Sequence, residues 1–247
     1  DSMKFYRRLS KFKAISFDLD DTLYSNKPVM LAIEKKMLAY FANVAVINNI
    51  PSDQPKVLDH RFWSSFRNQA LSKHPDLFND VARVRLVTYC LGFISLGLTK
   101  NIAEQQAQAA LDYFIHLRSD FTVPAQSIKL LAKLSKKYPL IAISNGNVDT
   151  NTLGISPYFQ HIYHAGWQAD GTLLKQKPAS DMFYLACQQL AIKPSQLLHV
   201  GDCGRADIQG ALLAGCQTAL FSRYHVGQPM SLLPHLEITS VNELEKL

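Results

Sequence analysis

The sequence predicts an α/β fold in which a doubly wound parallel sheet forms a core domain that carries an all-helical insertion. Three observations lead to this prediction. Short apolar runs end in polar or glycine residues, amphipathic helical patterns lie between these runs, and the stretch 26–123 has helical patterns without a convincing strand. Strands that alternate with helices are typical of βαβ units with right-handed crossovers.

The predicted strands are short apolar runs bounded by polar or turn residues, a pattern typical of strands buried on both faces of a parallel sheet. They lie at Ala14–Phe17, Leu140–Ile143, Leu197–Val200 and Thr218–Phe221, with a weaker candidate at Ile162–Ala165.

The predicted helices fall into two groups. Those of the core are Ala125–Lys137, Ser180–Leu190 and Ala206–Ala214, and Gly215 is the expected stop of the last one. Those of the insertion are Val29–Val46, His60–Leu71, Asp80–Leu96 and Ala103–Leu117. We therefore expect a core domain formed by 1–25 and 124–247, and a helical cap formed by 26–123.

Composition narrows the class of protein. The 247 residues are 47% hydrophobic and 19% charged, which is sufficient for a packed core and argues against global disorder. No apolar run is long enough to cross a bilayer, and the basic N-terminal stretch has no continuous apolar segment, so we expect neither a membrane partner nor a secretory signal. The four cysteines form no CxxC pair, which fits a reducing cytoplasm.

The net charge of +6 raises the question of nucleic acid binding. Lysine and arginine are dispersed among acidic residues, and no block of like charges stands out. We expect no nucleic acid partner. A mildly positive field favours anionic small substrates such as phosphate esters.

An acidic segment follows the first predicted strand and contains Asp18, Asp20 and Asp21. Three acids in four positions repel one another unless a cation or a proton relieves them. Mg²⁺ commonly binds one or two carboxylates together with phosphate oxygens of a substrate. The segment therefore suggests a metal site, although an acidic turn or helix cap would have the same composition.

Two further segments are weaker signals when taken alone. Ser144, Asn145 and Gly146 follow the second core strand and offer a hydroxyl and main-chain N–H groups to a phosphoryl oxygen, but this is also ordinary turn chemistry. Lys177, just before Pro178, could reach a phosphate as a point charge, but a lysine in this setting is also a common surface residue.

A fourth segment follows the Leu197–Val200 strand, with Asp202 at the strand end and Asp207 in the first turn of a helix. Either carboxylate could complete a cation shell, whereas Asp207 could equally be an acid that favours the helix dipole. All four segments lie at or beyond the carboxyl ends of predicted strands. In a doubly wound sheet these ends face one crevice, so the segments predict one site.

Taken in order, these four segments resemble the motifs of the haloacid dehalogenase superfamily, and the resemblance covers the whole chain. It implies a Rossmann-like core, a helical cap between the first and second motifs, Mg²⁺ as cofactor and a small phosphate ester as substrate. It also implies roles for individual residues. The catalytic residues would be Asp18 as nucleophile, Asp20 as general acid and base, Ser144 and Lys177; Asn145 would contact substrate, and Asp18, Asp20, Asp202 and Asp207 would hold the metal.

Within the superfamily, the acid at Asp20 favours phosphate chemistry over dehalogenation. The chain further resembles bacterial phosphatases that act on FMN and on the phosphoribitylaminouracil intermediate of riboflavin synthesis. It departs from them at Cys203, where an acid is expected, and in a longer Gly166–Gln176 connection. A broad-specificity phosphatase, a sugar-phosphate mutase and a non-catalytic binding module remain alternatives, and the oligomeric state stays open.

The insertion offers candidates for substrate specificity. Arg83 and Arg85 could contact an anionic or carbonyl-rich leaving group, and Phe62, Trp63 and Phe66 could stack on a ring. The alternative is that the arginines form surface ion pairs and that the aromatic residues belong to a helix core.

Overall fold

The computed structural model describes residues 3–51 and 59–247. The chain divides into two compact units, and we describe each by itself. The core unit comprises 1–26, 121–146 and 150–247, and the helical unit comprises 27–120 and 147–149. The boundaries that the sequence predicts, at 25/26 and 123/124, differ from these by one and three residues, and Asn147–Asp149 were expected in the core.

The core unit is built on nine described strands. They are, in chain order, β1 (Lys4–Phe5), β2 (Ala14–Phe17), β3 (Leu140–Ser144), β4 (His161–His164), β5 (Gly166–Trp167), β6 (Leu173–Leu174), β7 (Leu197–Gly201), β8 (Gln217–Phe221) and β9 (Leu236–Ile238). Of these, β2, β3, β7 and β8 are buried along their whole length. Apolar residues occupy both faces of these four strands, because helices cover both sides of a parallel sheet.

Within the described residues, seven strands form the main sheet in the order β1-β9-β8-β7-β2-β3-β4. The neighbours are parallel, except that β1 runs antiparallel to β9. The chain builds outward from β2 in both directions, so the strand order reverses beside this strand. The predicted α/β class with a largely parallel sheet is confirmed.

The helices of the helical unit are α1 (Lys27–Ile47), α2 (His60–Lys73), α3 (Val81–Ser95) and α4 (Lys100–Arg118). Their aromatic residues form a core of their own, in which Trp63 is stacked on Phe41 with 4.1 Å between ring centroids and also contacts Phe93. Gly92 leaves the space for the Trp63 ring, because a Cβ at this position would collide with it. Trp63 is therefore a core residue of this unit.

The helices of the core unit are α5 (Ala125–Ser135), α6 (Asp181–Leu190), α7 (Gly210–Leu213) and α8 (Val241–Leu244). The predicted helix Ala206–Ala214 differs from the structure, where a π-helical turn, Gly204–Gln209, precedes the short α7. Gly215 has a φ of +87° and ends this helix as predicted. None of the described helices is both long and apolar enough to cross a membrane.

Candidate active site

The polar residues singled out in the sequence meet at the carboxyl ends of three adjacent strands of the core unit. Asp18 follows β2, Ser144 ends β3 and Asp202 follows β7. The main-chain N–H of Asp18 donates to the Val200 carbonyl at 2.9 Å, which fixes the turn that leaves β2. This edge of the sheet is the one at which the strand order reverses, where α/β proteins commonly bind ligands.

Lys177 is the cationic centre of the site, and its side chain is buried. Its Nζ donates to three acceptors, namely Asp18 Oδ1 at 2.9 Å, Asp207 Oδ1 at 2.7 Å and the Ile143 carbonyl at 2.8 Å. Burial alone would lower the pKa of Lys177, but the charges of Asp18 and Asp207 outweigh it and raise the pKa well above its usual range. The ammonium is therefore a fixed positive charge beside the Asp18 carboxylate.

Asp207 is buried and accepts hydrogen bonds on both carboxylate oxygens. Besides Lys177, Oδ1 lies 2.8 Å from Nε2 of His199, and Oδ2 accepts from the main-chain N–H of Cys203 at 3.1 Å. Burial alone would raise the pKa of Asp207, but the Lys177 ammonium and the His199 hydrogen bond hold it well below the usual range. Gly201 makes room for this carboxylate, because a Cβ there would collide with it.

Three carboxylates, those of Asp18, Asp202 and Asp207, offer oxygen atoms that all lie within 4.8 Å of one another. Burial, together with the charge of Asp207, raises the pKa of Asp18 well above its usual range, against the opposing effect of Lys177. Burial raises the pKa of Asp202 to about 6, and the charge of Asp207 adds to the effect. One lysine does not balance three carboxylates, so this oxygen-rich cluster fits a divalent cation such as Mg²⁺.

The loop after Asp18 supplies two further side chains. The Thr22 hydroxyl lies 3.2 Å from Asp18 Oδ2 and 3.3 Å from Asp202 Oδ1, between the two carboxylates. Asp20 accepts a hydrogen bond from the Tyr24 hydroxyl at 2.6 Å. The Asp20 side chain is not part of the carboxylate cluster, and the predicted metal binding by Asp20, through its main-chain carbonyl, stays a prediction.

Ser144 and Asn145 position their neighbours. The Ser144 hydroxyl is buried and accepts from the N–H of Gly146 at 3.0 Å. The Asn145 side chain donates to the Lys177 carbonyl at 3.0 Å and accepts from the Lys177 N–H at 2.8 Å. Asn145 thus holds the main chain of Lys177 in place, while its predicted contact with substrate stays a prediction.

His199 and Ser16 are residues of this site that sequence reasoning missed. They lie opposite each other in the register of β2 and β7, and His199 Nδ1 is 2.8 Å from the Ser16 hydroxyl. Burial lowers the pKa of His199, against the opposing effect of Asp207. A proton on Nε2 would let the ring donate to Asp207 and accept from Ser16. The signal was a histidine inside an apolar strand, since a buried polar group requires a partner.

Comparison with known proteins agrees with this arrangement. The family model of haloacid dehalogenase-like hydrolases matches residues 12–215. The chain belongs to this family. The expected family is thus confirmed, and this hydrolase brings the Asp18 loop, Ser144, Lys177 and Asp202 together at one sheet edge, as their positions at predicted strand ends indicated.

Relatives of this hydrolase are named phosphatases. The chain is 35% identical to the 5-amino-6-(5-phospho-D-ribitylamino)uracil phosphatase YigB of Escherichia coli, over 99% of this chain and 100% of the relative. It is 30% identical to human N-acylneuraminate-9-phosphatase, over 97% of this chain and 94% of the relative. The 2-haloacid dehalogenase of Pseudomonas syringae shares the fold, with a TM-score of 0.82 at 24% identity, covering 95% of this chain and 97% of that one.

Proposed function

We propose that this chain is a Mg²⁺-dependent phosphomonoester hydrolase that acts through an aspartyl-phosphate on Asp18. The observation that carries the proposal is the Asp18 carboxylate, which lies 2.9 Å from the Lys177 ammonium and within a cluster of three carboxylates. For the substrate, we propose FMN and 5-amino-6-(5-phospho-D-ribitylamino)uracil. The near full-length similarity to YigB, whose name includes the second compound, supports this choice.

In the first step, a carboxylate oxygen of Asp18 attacks the phosphorus of the ester. The bond from phosphorus to the ester oxygen breaks, and the leaving alkoxide takes a proton from Asp20. Lys177 and the Ser144 hydroxyl stabilise the charge on the equatorial oxygens of the transferring group, which is the main catalytic requirement in phosphoryl transfer.

In the second step, water attacks the phosphorus of the aspartyl-phosphate, and Asp20 now accepts the proton of this water. The bond between phosphorus and the Asp18 oxygen breaks, which restores the carboxylate and releases inorganic phosphate. Asp20 suits both steps because its carboxylate lies on the same loop as Asp18 and keeps a hydrogen bond to Tyr24.

Asp18, Asp202 and Asp207 would hold Mg²⁺ together with the main-chain carbonyl of Asp20. When bound, the ion supplies positive charge that keeps Asp18 ionised and offsets the negative charge of the phosphate. The raised pKa values of Asp18 and Asp202 support this assignment, because they show how unfavourable the charged carboxylates are without a cation.

The experiment is a measurement of phosphate release from FMN, the ribitylaminouracil phosphate, sugar phosphates, nucleotides and an aryl phosphate, with Mg²⁺ and with EDTA. We expect Mg²⁺-dependent release that favours the two flavin-pathway compounds. Equal release from all esters would contradict the proposed substrates but would still support phosphatase activity. Isomerised sugar phosphate without net phosphate release would indicate a mutase instead.

The nucleophile is tested by Asp18→Asn, which should lower kcat by roughly a thousandfold or more, because an amide cannot form the phosphorylated intermediate. Asp21→Asn is a matched control in the same loop. Asp21 has a φ of 58°, which asparagine tolerates, and its carboxylate accepts from the N–H of Asn26. Near-normal turnover of the Asp18→Asn variant would overturn the mechanism.

A further inference from the structure

The helical unit contains a partly open cavity that the proposed catalytic chemistry does not use. Its volume is about 450 Å³, within the range of pockets that bind small organic molecules. Residues from α1, α2, α3 and α4 line it, and all of them belong to the helical unit. Most of the wall is apolar, and Phe41, Trp63, Tyr89 and Phe114 supply aromatic surface.

Arg85 on α3 brings a charge into this apolar wall. Its guanidinium lies 3.6 Å from the centroid of the Phe114 ring, and its Nη1 donates to the Tyr89 hydroxyl at 3.1 Å. Its Nε is buried and has no hydrogen-bond partner within the described part of the chain. Among residues 3–51 and 59–247, no carboxylate lies within 4 Å of this guanidinium.

Arg85 is partly buried, and its buried Nε lacks the hydrogen-bond partner that a buried N–H group normally has. Buried guanidinium groups are paired with carboxylates or have their N–H groups satisfied, because desolvation is otherwise unfavourable. The Phe114 ring and the Tyr89 hydroxyl both contact the planar guanidinium and orient it in the cavity wall. It is therefore prepared to donate to an acceptor that enters the cavity.

The other charged groups around the cavity favour an electron-rich or anionic ligand. Lys27 and Arg67 also line it, and the single acid among the described lining residues is Glu34, which lies 4.0 Å from His60. With Arg85, cationic groups outnumber acidic ones. A ligand that combines a flat ring with in-plane oxygen acceptors would match both the aromatic wall and the arginine fork.

We propose that this cavity is a binding site for a planar heteroaromatic molecule with carbonyl or anionic oxygens in the plane of its ring, and that Arg85 selects it. The aromatic walls contact the ring, and Arg85 donates hydrogen bonds to its oxygens. Arg85 is thus the specificity-determining residue of the helical unit. The choice of probe below rests on the proposed function, whereas the site rests on the geometry of this unit alone.

The experiment measures binding directly and without turnover. Riboflavin carries the flat ring with carbonyl oxygens but no phosphate, and ribose 5-phosphate carries a phosphate but no ring. Each is titrated into the full chain by calorimetry. Trp63 lines the cavity, so the titration is repeated in a Trp167→Phe background, where Trp63 is the single tryptophan and its emission locates the ligand.

We expect riboflavin to bind and to change the Trp63 emission, and ribose 5-phosphate to leave the Trp63 emission unchanged. Arg85→Gln should weaken riboflavin binding at least about tenfold, because a charged hydrogen bond to the ring is lost. Arg83→Gln is the matched control, since it removes the same charge from the same helix at an exposed position that does not line the cavity. Its affinity should equal that of the native chain.

A second variant tests the cavity independently, in case the Arg85→Gln protein does not fold. Ser64→Leu adds volume to the cavity wall without touching Arg85, and it should also weaken riboflavin binding severalfold. Absence of riboflavin binding, or equal affinity in the native, Arg85→Gln and Ser64→Leu proteins, would overturn the site. Arg85-dependent binding in a chain that releases phosphate from no ester would retain this site and reject the proposed function.

Discussion

At the scale of one residue, Asp202 has a largely buried carboxylate whose ionised form is unfavourable in the folded protein. Its pKa is raised to about 6 in the folded protein, above the usual value near 3.8, chiefly by burial. Between these two values the folded state binds a proton that the unfolded state does not. Stability therefore decreases as pH rises from about 4 to about 6, and the full cost of the ionised carboxylate is present above pH 6.

This cost predicts the behaviour of an Asp202→Asn variant in EDTA. At pH 7.5 the variant should melt several degrees above the native chain, because the amide removes a buried charge. The difference should shrink as pH falls to 5, where Asp202 in the native chain is protonated. Adding Mg²⁺ should stabilise the native chain and not the variant. A melting difference that is independent of pH would contradict the raised pKa.

A second prediction at the residue scale concerns His199. His199→Leu removes one donor to Asp207 and leaves the Ser16 hydroxyl without its ring partner. We expect a loss of about 2–4 kcal/mol in the free energy of unfolding, measured with urea. His199→Gln retains a donor and should lose less. If leucine were tolerated as well as glutamine, the hydrogen bonds of His199 would not support the site.

The acidic residues of the site could be predicted from the sequence, whereas His199 could not. Asp18 and Asp202 follow apolar runs directly, so their position at strand ends is a local property of the chain. The partnership of His199 with Ser16 depends on which strands are neighbours and in what register, across 183 residues. No local pattern contains this information, although the buried histidine itself indicated that a partner was needed.

At the scale of elements, the turn after β7 decides where the site lies. Gly201 ends β7, and the π-helical turn Gly204–Gln209 brings Asp207 back against it. The Asp207 carboxylate occupies the space where any other residue at 201 would place a Cβ. This glycine is thus required by close approach, and π-helical turns are frequent at functional sites.

Gly201→Ala should therefore displace Asp207 and Lys177 with it. We expect phosphatase activity to fall by roughly a hundredfold and Mg²⁺ affinity, measured by calorimetry, to fall with it. Gly171→Ala is the control: its φ of +85° makes alanine unfavourable, but no atom lies near the added Cβ. That variant should lose only stability. Full activity of Gly201→Ala would show that Asp207 can move without consequence.

The elements that sequence reasoning missed are the shortest ones. The strands β1, β5, β6 and β9 have two or three residues, too few for a period of two to be visible. β1 pairs with β9 across more than 200 positions, as in the register pair Phe5 and Leu236. Longer elements could be predicted because the spacing of their apolar residues repeats several times within the element.

At the scale of the whole molecule, the residues of the catalytic site and the aromatic core of the insertion belong to different units. The carboxylates and Lys177 lie in the core unit, whereas Phe41, Trp63 and Phe93 pack within the helical unit. The cavity beside Arg85 could not be predicted, because its volume depends on how four helices pack. The sequence indicated only that the aromatic residues and arginines were present.

This division predicts that damage to the helical core does not affect the proposed Mg²⁺ site in the core unit. Gly92→Ala places a Cβ against the Trp63 ring and should lower the free energy of unfolding by about 1–3 kcal/mol. Mg²⁺ affinity should stay within twofold of the native value. Ser95→Ala, at an exposed position on the same helix, is the control and should change neither quantity. A tenfold change in Mg²⁺ affinity with Gly92→Ala would contradict the division.

The hydrogen bonds from Lys177 through Asp207 and His199 to Ser16 form one continuous chain that begins beside Asp18. Each member satisfies its neighbour, so a change at one position alters which residues are acceptable at the next. Substitutions here should therefore be strongly non-additive, and a leucine at 199 should be tolerated better once Ser16 is also apolar. We therefore expect the residues at these four positions to change together during evolution, and not one at a time.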